Sequence, residues 1–196
     1  MTLKKTLVLD IGGVFFDPAW RREGVQHAAR LLNVPDNRLS DALKKNRVPF
    51  YTGSISENVY WERVLRDLTM PLERGGELEE LYRYYVRPIP ETLDLLPQLA
   101  TKYRLVACNN APKEWMDYRI KIASLGEFFE RFATSGYLGV MKPDVGMYAS
   151  VFDEKTKLGG VTYIDDNEEY VSIVQKIYGI PSRLYTTTAD LLVWIR

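Results

Sequence analysis

Apolar and polar positions along the chain fall into two regimes. Residues 6–9 are a short apolar, β-rich run, the pattern of a strand buried on both faces of a parallel sheet, and Asp10 stands at its carboxyl end before Ile11-Gly12-Gly13. Beyond Asp17 the spacing turns helical: Trp20, Gly24, Ala28 and Leu31 or Leu32 recur on one stripe until Asn33-Val34-Pro35 stops it. Further helices are predicted over 39–45, over 56–68 with Ser54 and Glu57 at capping-box spacing, and over 77–86 after the breaks at Pro71 and Gly75-Gly76. Residues 18–86 thus read as wholly helical.

From Pro88 onward helix and strand alternate. Strands are expected at 104–108, 132–135, 161–164 and 183–185, and helices at 91–103, 112–125, 145–152, 169–178 and 189–195, with 136–141 a loop. That alternation implies right-handed crossovers and an α/β fold, a Rossmann-like parallel sheet flanked by helices. The expected division is a core of residues 1–17 and 87–196, with 18–86 inserted as a small helical bundle.

With 196 residues the chain can bury one sizeable core and a small second module. Lys plus Arg and Asp plus Glu balance at 26 each, so no charge excess points to nucleic acid or an anionic membrane. No apolar run is long enough for a bilayer and no signal-peptide pattern precedes the first strand, which reads as a cytoplasmic protein. Cys108 is the one cysteine, so an intrachain disulfide is impossible. Nothing in the pattern specifies an oligomeric state.

Polar residues stand at four strand ends: Asp10, Cys108-Asn109-Asn110, the Lys142 loop and Asp165-Asp166. In a parallel sheet these ends share one edge, where ligands of open α/β sheets bind. Carboxylates with a lysine suit a divalent metal and a phosphoryl group, since magnesium takes one or two carboxylates plus phosphate oxygens. The plainer readings are that Asp10 caps a turn, that Asp165-Asp166 cap the next helix, and that Lys142 is a solvated loop charge.

These motifs resemble the haloacid dehalogenase-like hydrolase superfamily, most of whose members are magnesium-dependent phosphatases. Asp10-Ile11-Gly12-Gly13-Val14 is similar to its first motif, Val106-Ala107-Cys108-Asn109-Asn110 to its second, Lys142-Pro143-Asp144 to its third and Ile164-Asp165-Asp166-Asn167 to its fourth. The four occur in order, and the helical insert resembles the family's cap. The resemblance implies a phosphatase of a small phosphorylated metabolite, with Asp10 as nucleophile. Asp10, the Gly12 carbonyl and Asp166 would bind Mg2+ with Asp165 behind them, and Lys142, Asn109 and the residue at Cys108 would hold the phosphate.

Two positions depart from the family pattern. Gly12 stands where its phosphatases carry a general-acid aspartate, help worth about 10²–10⁴-fold in rate. Cys108 replaces a serine or threonine and is either a small buried hydrophobe or a redox-sensitive thiol beside the site. Two other functions follow from the same motifs: a haloacid dehalogenase, which needs no metal, and a non-catalytic binding or regulatory protein. Trp20, Tyr51 and Trp61 are candidates for the pocket wall, although aromatic residues on short helices more often belong to the core.

Overall fold

The computed structural model describes residues 4–152 and 160–195. Five parallel strands form the central sheet in the order β5-β4-β1-β6-β7. They are β1 (Lys5–Leu9), β4 (Tyr103–Asn109), β5 (Phe129–Thr134), β6 (Val161–Asp165) and β7 (Ser182–Leu184). β1 lies in the middle, with Leu9 in register with Ala107 of β4 and with Ile164 of β6. Because strand side chains alternate, Leu7, Leu9 and Ala107 enter one core, while Val8, Val106 and Cys108 enter a second. Burial on both faces explains why the β1 run is continuously apolar.

The chain leaves and re-enters this sheet through a feature the pattern did not predict. β2 (Phe16–Asp17) pairs antiparallel with β3 (Arg87–Pro88), so a two-stranded ribbon joins the start and end of the helical stretch. Two residues per strand carry too little periodicity to be read from sequence. Between them lie a π-helical turn (Trp20–Gly24), α1 (Val25–Leu32), α2 (Asp36–Tyr51), α3 (Glu57–Asp67) and α4 (Gly75–Tyr84). α2 is more than twice its expected length and runs through the buried Asn46, whose amide is satisfied by the Ala42 carbonyl at 2.9 Å and by Asp67 at 2.7 Å. The cap of α3 is Ser56, whose Oγ accepts from the Val59 amide, and not Ser54.

The helix expected over 91–103 is two, α5 (Pro90–Leu93) and α6 (Leu96–Lys102). Pro97 has no amide hydrogen to continue the first into the second. After β4 comes α7 (Lys113–Ile122), and the expected loop after β5 contains one helical turn, α8 (Ser135–Leu138), closed by Gly139 at φ +76°. α9 (Val145–Ala149), α10 (Glu168–Tyr178) and α11 (Ala189–Ile195) complete the chain. No helix among the described residues is long and apolar enough to cross a membrane.

Candidate active site

β1 delivers Asp10 to the carboxyl edge of the sheet, where its backbone amide is tied to the Ile164 carbonyl at 2.9 Å. The next turn is built for close approach. Gly13 has φ +83°, and a Cβ there would fall 2.0 Å from Asp166 Oδ2, so glycine is what lets the aspartate reach this loop. β6 carries Asp165 to the same edge, and the helix that follows is capped by Asn167, which accepts from the Glu169 amide at 2.9 Å. Neither aspartate is therefore spent as the helix cap.

Lys142 closes the group. Its Nζ donates to Asp10 Oδ1 at 3.0 Å and to Asp165 Oδ2 at 2.6 Å, and all three side chains are buried. Asp165 Oδ2 also accepts from the Tyr163 hydroxyl, and its Oδ1 accepts from the Asn167 amide at 2.9 Å. The Lys142 backbone is held by Asn110, whose Oδ1 accepts from the lysine amide at 2.7 Å while Nδ2 donates to its carbonyl at 2.9 Å. Asp10, Asp165 and Asp166 each present an oxygen, all within 4.8 Å of one another.

Electrostatics follow from this crowding. Burial pushes the Asp10 carboxyl up to about 7, with Lys142 opposing and Asp165 and Asp166 adding to the rise. Burial works against the Lys142 charge, yet the two carboxylates outweigh it and hold the ammonium above its usual range. Asp166 is raised by burial and by Asp165.

A cleft of about 270 Å³ opens over this edge, lined by Asp10, Gly12, Lys142, Asp165 and Asp166 from one side. Its other walls include Arg21, Arg47 and Tyr51 from the helical stretch and Arg119 from α7. Trp20 also lines it, whereas Trp61 is 1% exposed and belongs to the core.

Two of the expected phosphate-holding side chains point elsewhere. Asn109 is buried, with Oδ1 accepting from Thr134 at 2.8 Å and Nδ2 directed at the Met116 sulfur; Asn110, one residue past the strand, lines the cleft in its place. Cys108 is packed with Val8, Val106 and Ala133 in the second core, and burial pushes its thiol up to about 12. Tyr163 and the arginines were not singled out from sequence, and Asn110 was named among the strand-end polar residues without a role of its own. Tyr163 had a usable signal, since two residues before Asp165 on a strand means the same face. The arginines had none, because α7 and the helical stretch carry many surface charges of the same type.

No protein-family model matches this sequence, and no curated protein does. Solved structures do resemble it. A HAD-family enzyme from Bacteroides thetaiotaomicron superimposes with a TM-score of 0.81 at 18% identity, covering 100% of both chains. The same enzyme in complex with magnesium and inorganic phosphate gives 0.77 at 17% identity over 93% of this chain and 94% of that one. A HAD-like family hydrolase from Porphyromonas gingivalis gives 0.79 at 16% identity over 100% and 99%. A defluorinating L-2-haloacid dehalogenase gives 0.63 at 16% identity over 92% and 80%. With motif-bearing strand ends in the same chain order on one sheet edge, this protein has the fold of the haloacid dehalogenase-like hydrolases.

Proposed function

We propose that the protein is a magnesium-dependent phosphatase of small phosphorylated metabolites, in which residues 18–86 act as a cap over a core of residues 1–17 and 87–196. The observation that carries this reading is the meeting of Asp10, Asp165 and Asp166 around one point, with the Lys142 ammonium bonded to the first two. A set of carboxylate oxygens is a hard donor set, suited to magnesium and unsuited to thiophilic metals. Asp165 is already committed to Lys142, Tyr163 and the Asn167 amide, which leaves Asp10, Asp166 and the Gly12 carbonyl to hold the ion. The magnesium complexes of the Bacteroides enzyme, one of them with inorganic phosphate, support the assignment.

The chemistry falls to Asp10. Its carboxylate oxygen attacks phosphorus as the bond to the ester oxygen breaks, leaving the phosphoryl group on the aspartate; water then attacks phosphorus, freeing phosphate and restoring the carboxylate. Lys142 places a fixed positive charge beside the attacked group, held at its station by Asp165 and Tyr163. Bound magnesium supplies Lewis-acid charge for the phosphoryl oxygens. The walls supplied by residues 18–86 keep bulk water from the edge.

Dehalogenation is the second reading, favoured by the likeness to the defluorinating enzyme and by the missing acid at Gly12. There Asp10 would attack carbon and no metal would be used. Phosphate release from a panel of phosphorylated sugars, nucleotides and acids, with Asp10→Asn as the blank, tests the choice. Release that stops with EDTA and returns with magnesium supports the phosphatase; halide release from 2-haloacids that survives EDTA overturns it. Failure to trap beryllofluoride on Asp10, with neither activity seen, would favour a non-catalytic binding protein.

A further inference from the structure

We infer that the substrate carries a second anionic group, a carboxylate or another phosphate, which binds to Arg21, Arg47 and Arg119 in the same cleft. The inference takes from the phosphatase reading only the position of the phosphoryl end, over Asp10 and Lys142. The three arginines come from separate parts of the chain, the π-helical turn, α2 and α7, and line one cleft. None has a carboxylate within ion-pair distance among the described residues, whereas Arg22, Arg74, Arg83, Arg87 and Arg104 all do. Asp10 and Asp166 act on Arg21 only from farther off.

What positions these guanidinium groups is aromatic. Arg47 lies over the Tyr51 ring at 4.8 Å, and the same tyrosine is the neighbour that acts most strongly on Arg21, whose pKa it raises. Arg119 lies over Phe16 at 5.5 Å and donates to the Tyr82 hydroxyl at 3.2 Å. Stacking fixes a guanidinium plane while leaving its in-plane N–H groups to bind an acceptor, which a carboxylate partner would have consumed. Arg47 Nε and Arg119 Nε are closed off from solvent and have no hydrogen-bond partner among the described residues. Three guanidinium groups that line one cleft with no carboxylate of their own fit an anion that arrives with the ligand.

The three arginines span the cleft from the nucleophile loop to the helical wall. Arg119 Nη1 lies 3.9 Å from where a Cβ on Gly12 would sit, so it borders the nucleophile loop, while Arg21 and Arg47 belong to the helical wall. The phosphoryl end already has Lys142 for its charge. In about 270 Å³ only a short linker fits between the two anions, which selects small phosphorylated acids or compact bisphosphates over neutral sugar phosphates.

Binding to the Asp10→Asn protein with magnesium present, measured by calorimetry, tests this without turnover. The probes are matched pairs: phosphoglycolate against ethyl phosphate for a carboxylate, and propanediol bisphosphate against propyl phosphate for a second phosphate. The acid-bearing member of at least one pair is expected to bind about tenfold tighter or more, and the pair that shows it identifies the anion. That ratio should fall to within about twofold of unity when Arg47→Gln or Arg21→Gln is added; Arg21 stands outside the hydrophobic core, so its variant is expected to keep the fold. Equal affinity within both pairs, or a preference that survives both arginine variants, overturns the inference. A preference that holds and disappears as expected, while the wild-type protein releases phosphate from none of the probes, upholds the anion site and counts against the phosphatase reading alone.

Discussion

Cys108 stands where the resembled motif carries a hydroxyl, yet its side chain turns into the second core and is 0% exposed. A thiol pushed up to about 12 by burial has almost no thiolate at neutral pH, and thiolate is the reactive form. The native protein should therefore resist alkylation and peroxide, reacting with iodoacetamide only once unfolded; rapid labelling of folded protein, read by mass spectrometry, would restore the redox reading. Lys142 is the opposite case, a buried charge whose neighbours depend on it. Lys142→Ala leaves Asp10 and Asp165 buried without their cation, which should cost about 3–5 kcal/mol. For a chain of this size that lowers Tm by roughly 10 °C, and an unchanged melting curve in metal-free buffer would refute it. At Gly12 the guanidinium of Arg119 borders the place of the missing acid, but arginine stays protonated and cannot give up a proton there. Turnover should accordingly fall steeply as leaving-group pKa rises, and equal rates on aryl and alkyl phosphates would show that another group donates. Asp10, Lys142, Asp165 and Asp166 were legible because strand ends in a parallel sheet converge; Asn109 misled because one residue decides between strand face and cleft wall.

Elements were legible where period and length agreed. β1, β4 and β6 showed as apolar runs ending in polar residues, and α10 as an amphipathic stripe with Gly179 at its end in the left-handed region. The length of α2 was not, since it depends on Asp67, distant in sequence, and the break before α6 at Pro97 was missed; α3 lies within one residue of its expected bounds. Glu57 shows how far such partners reach. Placed in the first turn of α3, it accepts from Arg83 of α4 at 3.1 Å and from the Trp115 indole of α7 at 2.6 Å, so one carboxylate joins three helices. Burial raises its pKa while Arg83 and Trp115 pull it down. Arg83→Ala removes the cation and raises that carboxyl further. A folded-state pKa above the unfolded one favours the neutral form, so the penalty is absent at low pH and grows as pH rises through the shifted value. The variant should lose about 3–5 kcal/mol near pH 8 and less near pH 5, measured by denaturant unfolding at both; a loss independent of pH would mean the bond is not ionic.

At the scale of the whole molecule, the helical stretch and the sheet meet through aromatic rings more than through backbone. The β2–β3 ribbon is the covalent joint, but Trp115 on α7 stacks on Tyr82 of α4 with centroids 3.6 Å apart and touches Phe50 and Tyr51 edge-on at 5.2 and 5.9 Å. Tyr51 and Tyr82 are also the residues that hold Arg47 and Arg119 at the cleft. The seam between the two parts therefore sets the shape of the binding site as well as the stability of the fold. Sequence could not reveal this: the tryptophan is separated from its stacking partner by two strands and two helices, and nothing in local periodicity pairs them. Trp115→Ala should cost about 3–5 kcal/mol through the cavity it opens. Trp115→Phe keeps a ring against Tyr82 while losing the N–H donated to Glu57 and part of the indole's volume, so its cost should be about 1–3 kcal/mol. Both variants should raise KM more than they lower kcat, because Asp10 and Lys142 stand on the sheet edge, outside the seam. Steady-state kinetics beside thermal melts check this, and a loss confined to kcat would place Trp115 in the chemical step instead of the architecture.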